Sequence, residues 1–128
     1  MVGIVLISHS QKAAEGAVEL ARMMAPDAPL ATAGGLEDGS LGTSFEKIMA
    51  AVEAVDQGDG VACVMDMGSA VMTVEMVIED MAERKIKMLD APALEGAVVA
   101  AIEAQMGADL ESLQAKVDET RYTKKLDC

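Results

Sequence analysis

Short apolar runs alternate with segments of helical periodicity along the whole chain. Four runs have the length of a β-strand and end before serine, glycine or aspartate, namely residues 2–7, 30–33, 61–65 and 86–89. The fourth run is flanked by Arg84, Lys85 and Lys87, and charged flanks are typical of an edge strand. The pattern therefore predicts four strands, with the last one at an edge of the sheet.

Between these strands, apolar residues recur every three or four positions, as on one face of a helix. The face of the first helix is predicted to contain Ala13, Ala14, Ala17, Val18, Ala21 and Met24. The face of the second is predicted to contain Phe45, Ile48, Met49, Val52 and Val55. The third is predicted to bury Val71, Val74, Val77, Ile78 and Met81 and to present Met72 and Met76 on the opposite side.

Capping residues predict where several helices begin. Thr43 and Glu46 have the spacing of a capping box, with Thr43 as the N-cap of the second helix. Ser69 is the expected N-cap of the third helix, and Pro92 fits the first turn of a fourth helix that continues to Met106. A fifth helix is expected over residues 110–119.

Alternating strands and helices favour right-handed crossovers and a parallel sheet covered on both faces. The predicted fold class is α/β, a compact doubly wound domain with strand order 2-1-3-4. A length of 128 residues suits a single domain over the whole chain, with residues 120–128 as a frayed or partner-docked tail.

Composition narrows the functional classes. The net charge of −12 is spread over both halves, and there is one Phe, one Tyr and no Trp, so we expect no nucleic-acid binding. No uncharged apolar stretch has the length of a membrane span, which predicts a cytosolic, soluble protein with no membrane partner. Cys63 is expected to be a buried thiol and Cys128 a thiol in the tail, with no metal or redox spacing between them.

The single histidine, His9, stands where the first strand ends and the first helix begins. Ligands of open α/β sheets bind at the carboxyl ends of the strands, and a helix N-terminus favours an anion. Neutral imidazole is a nucleophile, so this position suits a histidine that carries a phosphoryl group. The alternative is a capped surface histidine without a chemical role.

Two further loops are expected beside His9 at the same edge of the sheet: the glycine-rich segment that ends at Gly42-Thr43, and the turn after the third strand. Asp66 in that turn could accept an imidazole N–H and orient the ring, although an ordinary loop carboxylate is an alternative. The predicted phosphoryl-binding residues are Ser10, Thr43, Gly68 and Ser69, and helix capping is an equally good reason for Thr43 and Ser69.

Several catalytic motifs are missing from the sequence. It contains no Gly-x-x-x-x-Gly-Lys-Ser/Thr loop and no Gly-x-Gly-x-x-Gly, the two nucleotide-binding patterns. It also has no Gly-x-Ser-x-Gly elbow, and one histidine without a cysteine cluster makes a zinc site improbable. We therefore expect neither a metal nor a bound cofactor. The functional groups that remain, a nucleophilic histidine and nearby hydrogen-bond donors, are those of a phosphoryl relay.

Five fragments in one order over nearly the whole chain resemble the phosphotransfer subunits of phosphoenolpyruvate-dependent dihydroxyacetone kinases, which are relatives of the mannose-family enzyme IIA domains. The fragments are Val5-Leu6-Ile7-Ser8-His9-Ser10, Ala33-Gly34-Gly35, Leu41-Gly42-Thr43-Ser44, Met65-Asp66-Met67-Gly68-Ser69-Ala70 and Ala91-Pro92-Ala93-Leu94-Glu95-Gly96-Ala97. The fourth fragment favours the dihydroxyacetone branch over the sugar-permease branch.

The resemblance implies a homodimer in which a histidine matching His9 takes a phosphoryl group from the phosphocarrier protein HPr. It implies that an aspartate matching Asp66 orients that histidine. The phosphoryl group then passes to ADP held in the nucleotide-binding subunit of the kinase.

Two other functions stay open from the sequence. One is a mannose-family enzyme IIA component of a sugar permease, which shares the fold and the histidine. The other is a domain that senses phosphorylation without passing it on. Whichever function applies, we hypothesise that the exposed Met72 and Met76 contact a dimer mate or a partner. The alternative is that the third helix buries a wider face that includes both methionines.

Overall fold

The computed structural model describes residues 1–127, in which four parallel strands form one sheet in the order β2-β1-β3-β4. The strands are β1 (Gly3–Ser8), β2 (Leu30–Gly34), β3 (Val61–Met65) and β4 (Ile86–Leu89). The predicted α/β fold class, the strand order and the edge position of β4 are confirmed. Ser8 pairs with Gly34 and Ile7 with Met65, so three strands end at the same level.

Five helices cover the sheet: α1 (Gln11–Met24), α2 (Phe45–Val55), α3 (Gly68–Asp80), α4 (Ala93–Gln105) and α5 (Leu110–Asp118). A short 3₁₀ turn, Glu119–Arg121, follows α5. The fourth helix begins one residue later than predicted, because Pro92 is its N-cap with extended backbone torsions. None of the helices in residues 1–127 has both the length and the apolar composition needed to cross a bilayer.

The central strand β1 divides the core in two. Ile4 and Leu6 point toward α1, α4 and α5, whereas Val5 and Ile7 point toward α2 and α3, and all four side chains are buried. Burying such a side chain contributes about 1.5–3 kcal/mol, so both layers of helices are held firmly on the sheet. With both faces covered, the strand ends and their loops are the part of the sheet left open to ligands.

The predicted helix faces agree with the structure in α2 and differ at two positions of α1. In α2, Ile48, Val52 and Val55 are buried, and Phe45 and Met49 pack partly against the core. In α1, Ala14, Ala17 and Ala21 are buried, but Ala13 and Met24 are exposed. At 100° per residue, Ala13 and Met24 lie together on one flank of the buried stripe, roughly 50–75° from its centre, and they are the residues of the set nearest to the two helix ends.

Helix α3 buries one face and exposes methionines on the other. Val74, Val77 and Met81 are buried, and Ile78 packs partly against the same core. Val71 is only half-buried. Met72 is 69% exposed and Met76 is 57% exposed, which confirms their predicted position on the outer side of the helix.

The segment after α5 lies beside the start of α4 and is joined to it by two ion pairs. Arg121 Nη1 lies 3.0 Å from Asp90 Oδ2, and Lys125 Nζ lies 3.3 Å from Glu95 Oε2. Cys128, the predicted tail thiol, lies outside the described residues. The predicted buried thiol, Cys63, is fully enclosed, and burial raises its pKa to about 12.

Candidate active site

Three loops meet at the carboxyl edge of the sheet and are tied together by backbone hydrogen bonds. The Gly35 N–H donates to the Ser8 carbonyl over 3.1 Å, and the Gly42 N–H donates to the His9 carbonyl over 2.9 Å. The Asp66 N–H donates to the Ile7 carbonyl over 3.2 Å. The expected meeting of the glycine-rich loop and the turn after β3 around His9 is therefore confirmed.

Gly34 allows the end of strand β2 to pack closely against the residues that follow His9. A β-carbon at Gly34 would lie 2.6 Å from Gln11 Cα and 2.8 Å from the Ser10 carbonyl oxygen. Only glycine leaves room for the end of β2 to touch the first turn of α1 at this distance. The backbone next to His9 is thus supported from the side of β2 as well as from β3.

The Asp66 carboxylate accepts four hydrogen bonds. Its Oδ2 accepts from the His9 backbone N–H at 3.0 Å and from Ser8 Oγ at 2.9 Å. Its Oδ1 accepts from the Met67 N–H at 2.8 Å and from the imidazole, with His9 Nδ1 at 3.0 Å. Partial burial raises the pKa of Asp66, but the hydrogen bonds from His9 and Ser8 outweigh burial and hold that pKa below its ordinary value. Asp66 is therefore ionised at neutral pH.

The ionised carboxylate determines which nitrogen of His9 is free to react. Because a carboxylate only accepts hydrogen bonds, Nδ1 carries the ring proton, and the lone pair of neutral imidazole lies on Nε2. The Ser69 hydroxyl contacts Nε2 at 2.5 Å and is placed to donate to that lone pair. The His9 side chain is 21% exposed, so the imidazole is partly accessible at the edge of the sheet.

The N-terminus of α3 lies beside the ring. Its N-cap is Met67, which provides no side-chain cap, so the prediction that Ser69 caps this helix was wrong. Ser69 lies in the first turn, and its hydroxyl turns to the imidazole instead. Over residues 1–127, no acceptor reaches the N–H groups of Gly68 and Ser69, which leaves two donors of a helix N-terminus available to an anion.

Ser10 is the N-cap of α1, since its hydroxyl oxygen accepts from the Ala13 N–H at 3.2 Å. The Ser10 N–H donates to Ser8 Oγ at 3.0 Å. The hydroxyl proton of Ser10 remains available for another acceptor at this edge of the sheet. Capping and contact with an anion are therefore compatible at Ser10.

The predicted capping box at Thr43 was wrong by one residue. The N-cap of α2 is Ser44, which accepts from the Lys47 N–H at 3.1 Å and contacts the Glu37 carboxylate. Thr43 instead pairs with Thr73 on α3, with 2.9 Å between the two hydroxyl oxygens. Thr43 thus links the end of the glycine-rich loop to the helix that carries Ser69.

Two residues of this network were not predicted, Ser8 and Thr73. Ser8 is the last residue of a fully buried strand, and Thr73 contacts the Ser69 carbonyl one turn earlier on α3. A hydroxyl at the carboxyl end of β1, directly before the candidate nucleophile, is the signal that could have identified Ser8. No comparable local signal distinguishes Thr73.

The concave surface near the site does not enclose the ring. A cleft of about 520 Å³ beside Asp66 is lined by Met67, Val71 and Met88 among others, but not by His9. Across the described chain, no three His, Cys, Asp or Glu side chains come together as metal ligands. A partly exposed imidazole with adjacent N–H donors is an arrangement that can accept and release a phosphoryl group.

Relatives share both sequence and fold with this chain. It is 40% identical over 115 residues to the phosphoryl donor subunit DhaM of PEP-dependent dihydroxyacetone kinase 1 from Listeria innocua, covering 90% of this chain and 91% of that protein. It is 35% identical to the phosphotransferase subunit DhaM of the PTS-dependent dihydroxyacetone kinase from Lactococcus lactis, covering 95% and 98% of the two chains. A 38% identical DhaM subunit from Escherichia coli is longer, and the match spans 25% of its length.

The solved structure of EF1359, a protein of unknown function, aligns with a TM-score of 0.86 and 28% identity over 99% of this chain and 100% of that one. The model of the EIIA-man family, described as the PTS system fructose IIA component, matches residues 3–114, which include every residue of the site described above. The chain belongs to this family of phosphotransferase-system IIA components.

Proposed function

We propose that the chain is a phosphohistidine relay that takes a phosphoryl group from HPr onto His9 and passes it to ADP bound in the nucleotide-binding subunit of a dihydroxyacetone kinase. The observation that carries the proposal is the orientation of the ring. Nδ1 is held by an ionised Asp66, and Nε2 faces the Ser69 hydroxyl in the first turn of α3.

In the first step, the Nε2 lone pair attacks the phosphorus of the phosphorylated donor, and the P–N bond to the donor histidine breaks. His9 keeps its Nδ1 proton, so the ring becomes cationic, and the Asp66 carboxylate compensates that charge. In the second step, a terminal phosphate oxygen of ADP attacks the phosphorus. The P–Nε2 bond then breaks, and the neutral imidazole returns.

The phosphoryl oxygens need donors that add little positive charge, since the group must leave again. The N–H groups of Gly68 and Ser69 are suitable donors, and the Ser69 hydroxyl can turn from Nε2 to a phosphoryl oxygen once the lone pair is used. The Ser10 hydroxyl proton is a further donor. Thr43 contributes in this proposal when Thr73 is the donor in their shared hydrogen bond, which leaves the Thr43 proton free.

Two observations support a kinase subunit as the acceptor. The curated relatives named above are subunits of dihydroxyacetone kinases, and two of them are matched over nearly their whole length. The imidazole of His9 is partly exposed at the edge of the sheet, a position that both a donor and an acceptor protein can reach in this proposal. In this proposal the chain is one IIA-type domain that acts as a homodimer without a cofactor of its own.

The description of the matching family favours a second candidate, a IIA component that delivers phosphate to a sugar-transport domain. The chemistry at His9 is the same for both candidates, and only the acceptor differs. A phosphorylation sensor is a third possibility, and it differs by accepting phosphate without passing it on.

The test is a transfer assay with phosphoenolpyruvate, enzyme I and HPr, followed by either the ADP-loaded kinase subunit or a sugar-transport IIB domain. We expect rapid discharge of the phosphorylated chain to the kinase subunit only. Discharge to the IIB domain only would establish the second candidate, and labelling without discharge would establish the sensor.

His9→Ala is expected to remain folded and to accept no phosphate. Gln57→Ala is the matched control, since Gln57 contacts the N-terminal amine in the loop before β3 and far from His9 in the fold. Phosphate acceptance by His9→Ala would place the phosphorylated residue elsewhere.

A further inference from the structure

Ser8 is the buried polar group closest to the reacting pair that the proposed chemistry does not yet use. Its side chain ends strand β1 and is 5% exposed, one of two buried polar residues of the described core. Burying a hydroxyl is unfavourable unless it is hydrogen-bonded, so its partners indicate what the residue does.

The Ser8 hydroxyl has two partners with different roles. It donates its proton to Asp66 Oδ2 at 2.9 Å and accepts from the Ser10 N–H at 3.0 Å. The first contact fixes the rotation of the carboxylate that holds His9 Nδ1, and the second fixes the backbone between His9 and the N-cap of α1. One side chain therefore supports His9 from both sides.

Asp66 depends on Ser8 because of how its oxygens are divided. Oδ1 faces the imidazole and the Met67 N–H, whereas Oδ2 faces the His9 N–H and Ser8. Ser8 provides the only side-chain hydroxyl among these four donors, and it approaches from the interior of the sheet. Without that hydroxyl, the carboxylate keeps a single backbone donor on Oδ2 and is freer to rotate away from Nδ1.

We propose that Ser8 is a positioning residue that holds Asp66 in the orientation in which it fixes the His9 tautomer and leaves Nε2 free for phosphoryl transfer. The proposal rests on the function proposed above for His9. Ser8 itself does not touch the phosphoryl group. It acts through the carboxylate, so its loss changes the state of the ring before any partner binds.

The space around Ser8 allows a conservative variant. A cavity of about 260 Å³ borders Ser8 and is lined by Ala13, Ala17 and Leu94 among others. Ser8→Thr keeps the hydroxyl, and the adjoining cavity gives the neighbourhood room to accommodate one extra methyl group. Ser8→Ala removes the hydroxyl and changes little else in volume.

The experiment compares wild type, Ser8→Ala and Ser8→Thr in the complete chain without partners and then in the transfer assay. Carbon-13 NMR follows the titration of Asp66, and nitrogen-15 NMR of the ring reports the tautomer of His9. For Ser8→Ala we expect a higher Asp66 pKa, a smaller fraction of the Nδ1-protonated tautomer and roughly tenfold slower phosphoryl acceptance, the lower end of the roughly 10- to 150-fold range that one hydrogen bond to a charged group provides. Ser8→Thr should restore all three.

An unchanged Asp66 titration and tautomer in Ser8→Ala would overturn the proposal, and so would equal defects in the alanine and threonine variants. The NMR measurements need no phosphoryl donor or acceptor. They therefore decide the role of Ser8 even if the transfer assay shows that His9 serves a different function. If Ser8→Ala does not fold, Ser8→Cys takes its place, because a thiol is a much weaker hydrogen-bond donor, and an unchanged Asp66 titration and ring tautomer in that variant would likewise overturn the proposal.

Discussion

Replacing Asp66 with asparagine changes one atom of the site and removes its negative charge. The carboxamide has one accepting oxygen and one donating NH₂ group, whereas the carboxylate accepts at both positions. The four donors around Asp66 cannot all be satisfied by such a group. Asp66→Asn therefore forces a choice between two unfavourable orientations.

If the NH₂ group takes the place of Oδ1, it faces His9 Nδ1 and the Met67 N–H. Nδ1 must then accept, and the ring proton moves to Nε2, which loses its nucleophilic lone pair. If the NH₂ group takes the place of Oδ2, it faces the His9 N–H and the Ser8 hydroxyl. The tautomer then survives, but the backbone N–H of His9 has no acceptor in the carboxamide.

In both orientations the cationic phosphoimidazole loses its counter-ion. A hydrogen bond to a charged group contributes about 1.5–3 kcal/mol, which corresponds to a rate reduction of roughly 10- to 150-fold. The assay is single-turnover transfer from phosphorylated HPr, measured by rapid quenching. The matched control is Asp59→Asn, because Asp59 pairs with the N-terminal amine at 2.8 Å in the loop that precedes β3. A wild-type rate for Asp66→Asn, or an equal reduction in the control, would refute the assigned role of the carboxylate.

Three further predictions concern stability and contacts. Folding lowers the pKa of Asp66, so its stabilising contribution is present above the ordinary value of 3.8 and disappears as the pH falls through the lower folded value. The difference in unfolding free energy between wild type and Asp66→Asn should therefore shrink on acidification, and a constant difference would contradict this. Gly34→Ala should lower the free energy of unfolding in urea by about 1–3 kcal/mol, because the new β-carbon meets backbone atoms at the start of α1. Gly16→Ala, in an open helical position, should raise it by about 0.5–1 kcal/mol. Equal effects of the two substitutions would be inconsistent with the packing. Met72→Gln combined with Met76→Gln should weaken self-association or slow transfer without lowering stability, and unchanged oligomer mass and transfer rate would dispose of the contact role.

The fold was predictable because its signals are local and periodic. The apolar runs identified all four strands to within one residue at their ends, and the alternation with helices predicted a parallel sheet, for which the common strand order 2-1-3-4 was expected. Helix boundaries were less predictable. Thr43 and Ser44 both have capping side chains, and only the backbone torsions decide that Ser44 accepts from Lys47 while Thr43 turns to α3.

The site was predictable only as far as topology brings strand ends together. The parallel order places His9 and Asp66 directly after neighbouring strands, so their contact follows from the sheet. The contacts of Ser8 and Ser69 do not follow in this way. Each hydroxyl meets a residue 58 or 60 positions away, at a distance set by the rotation of side chains that no local pattern encodes.

The most direct test of the account is nitrogen-15 NMR of the phosphorylated chain with isotopically labelled histidine. The account predicts a single phosphoryl group on Nε2 of His9, with Nδ1 protonated and hydrogen-bonded to Asp66. A phosphoryl group on Nδ1, or a phosphorylated chain in which the His9 ring is unmodified, would contradict it.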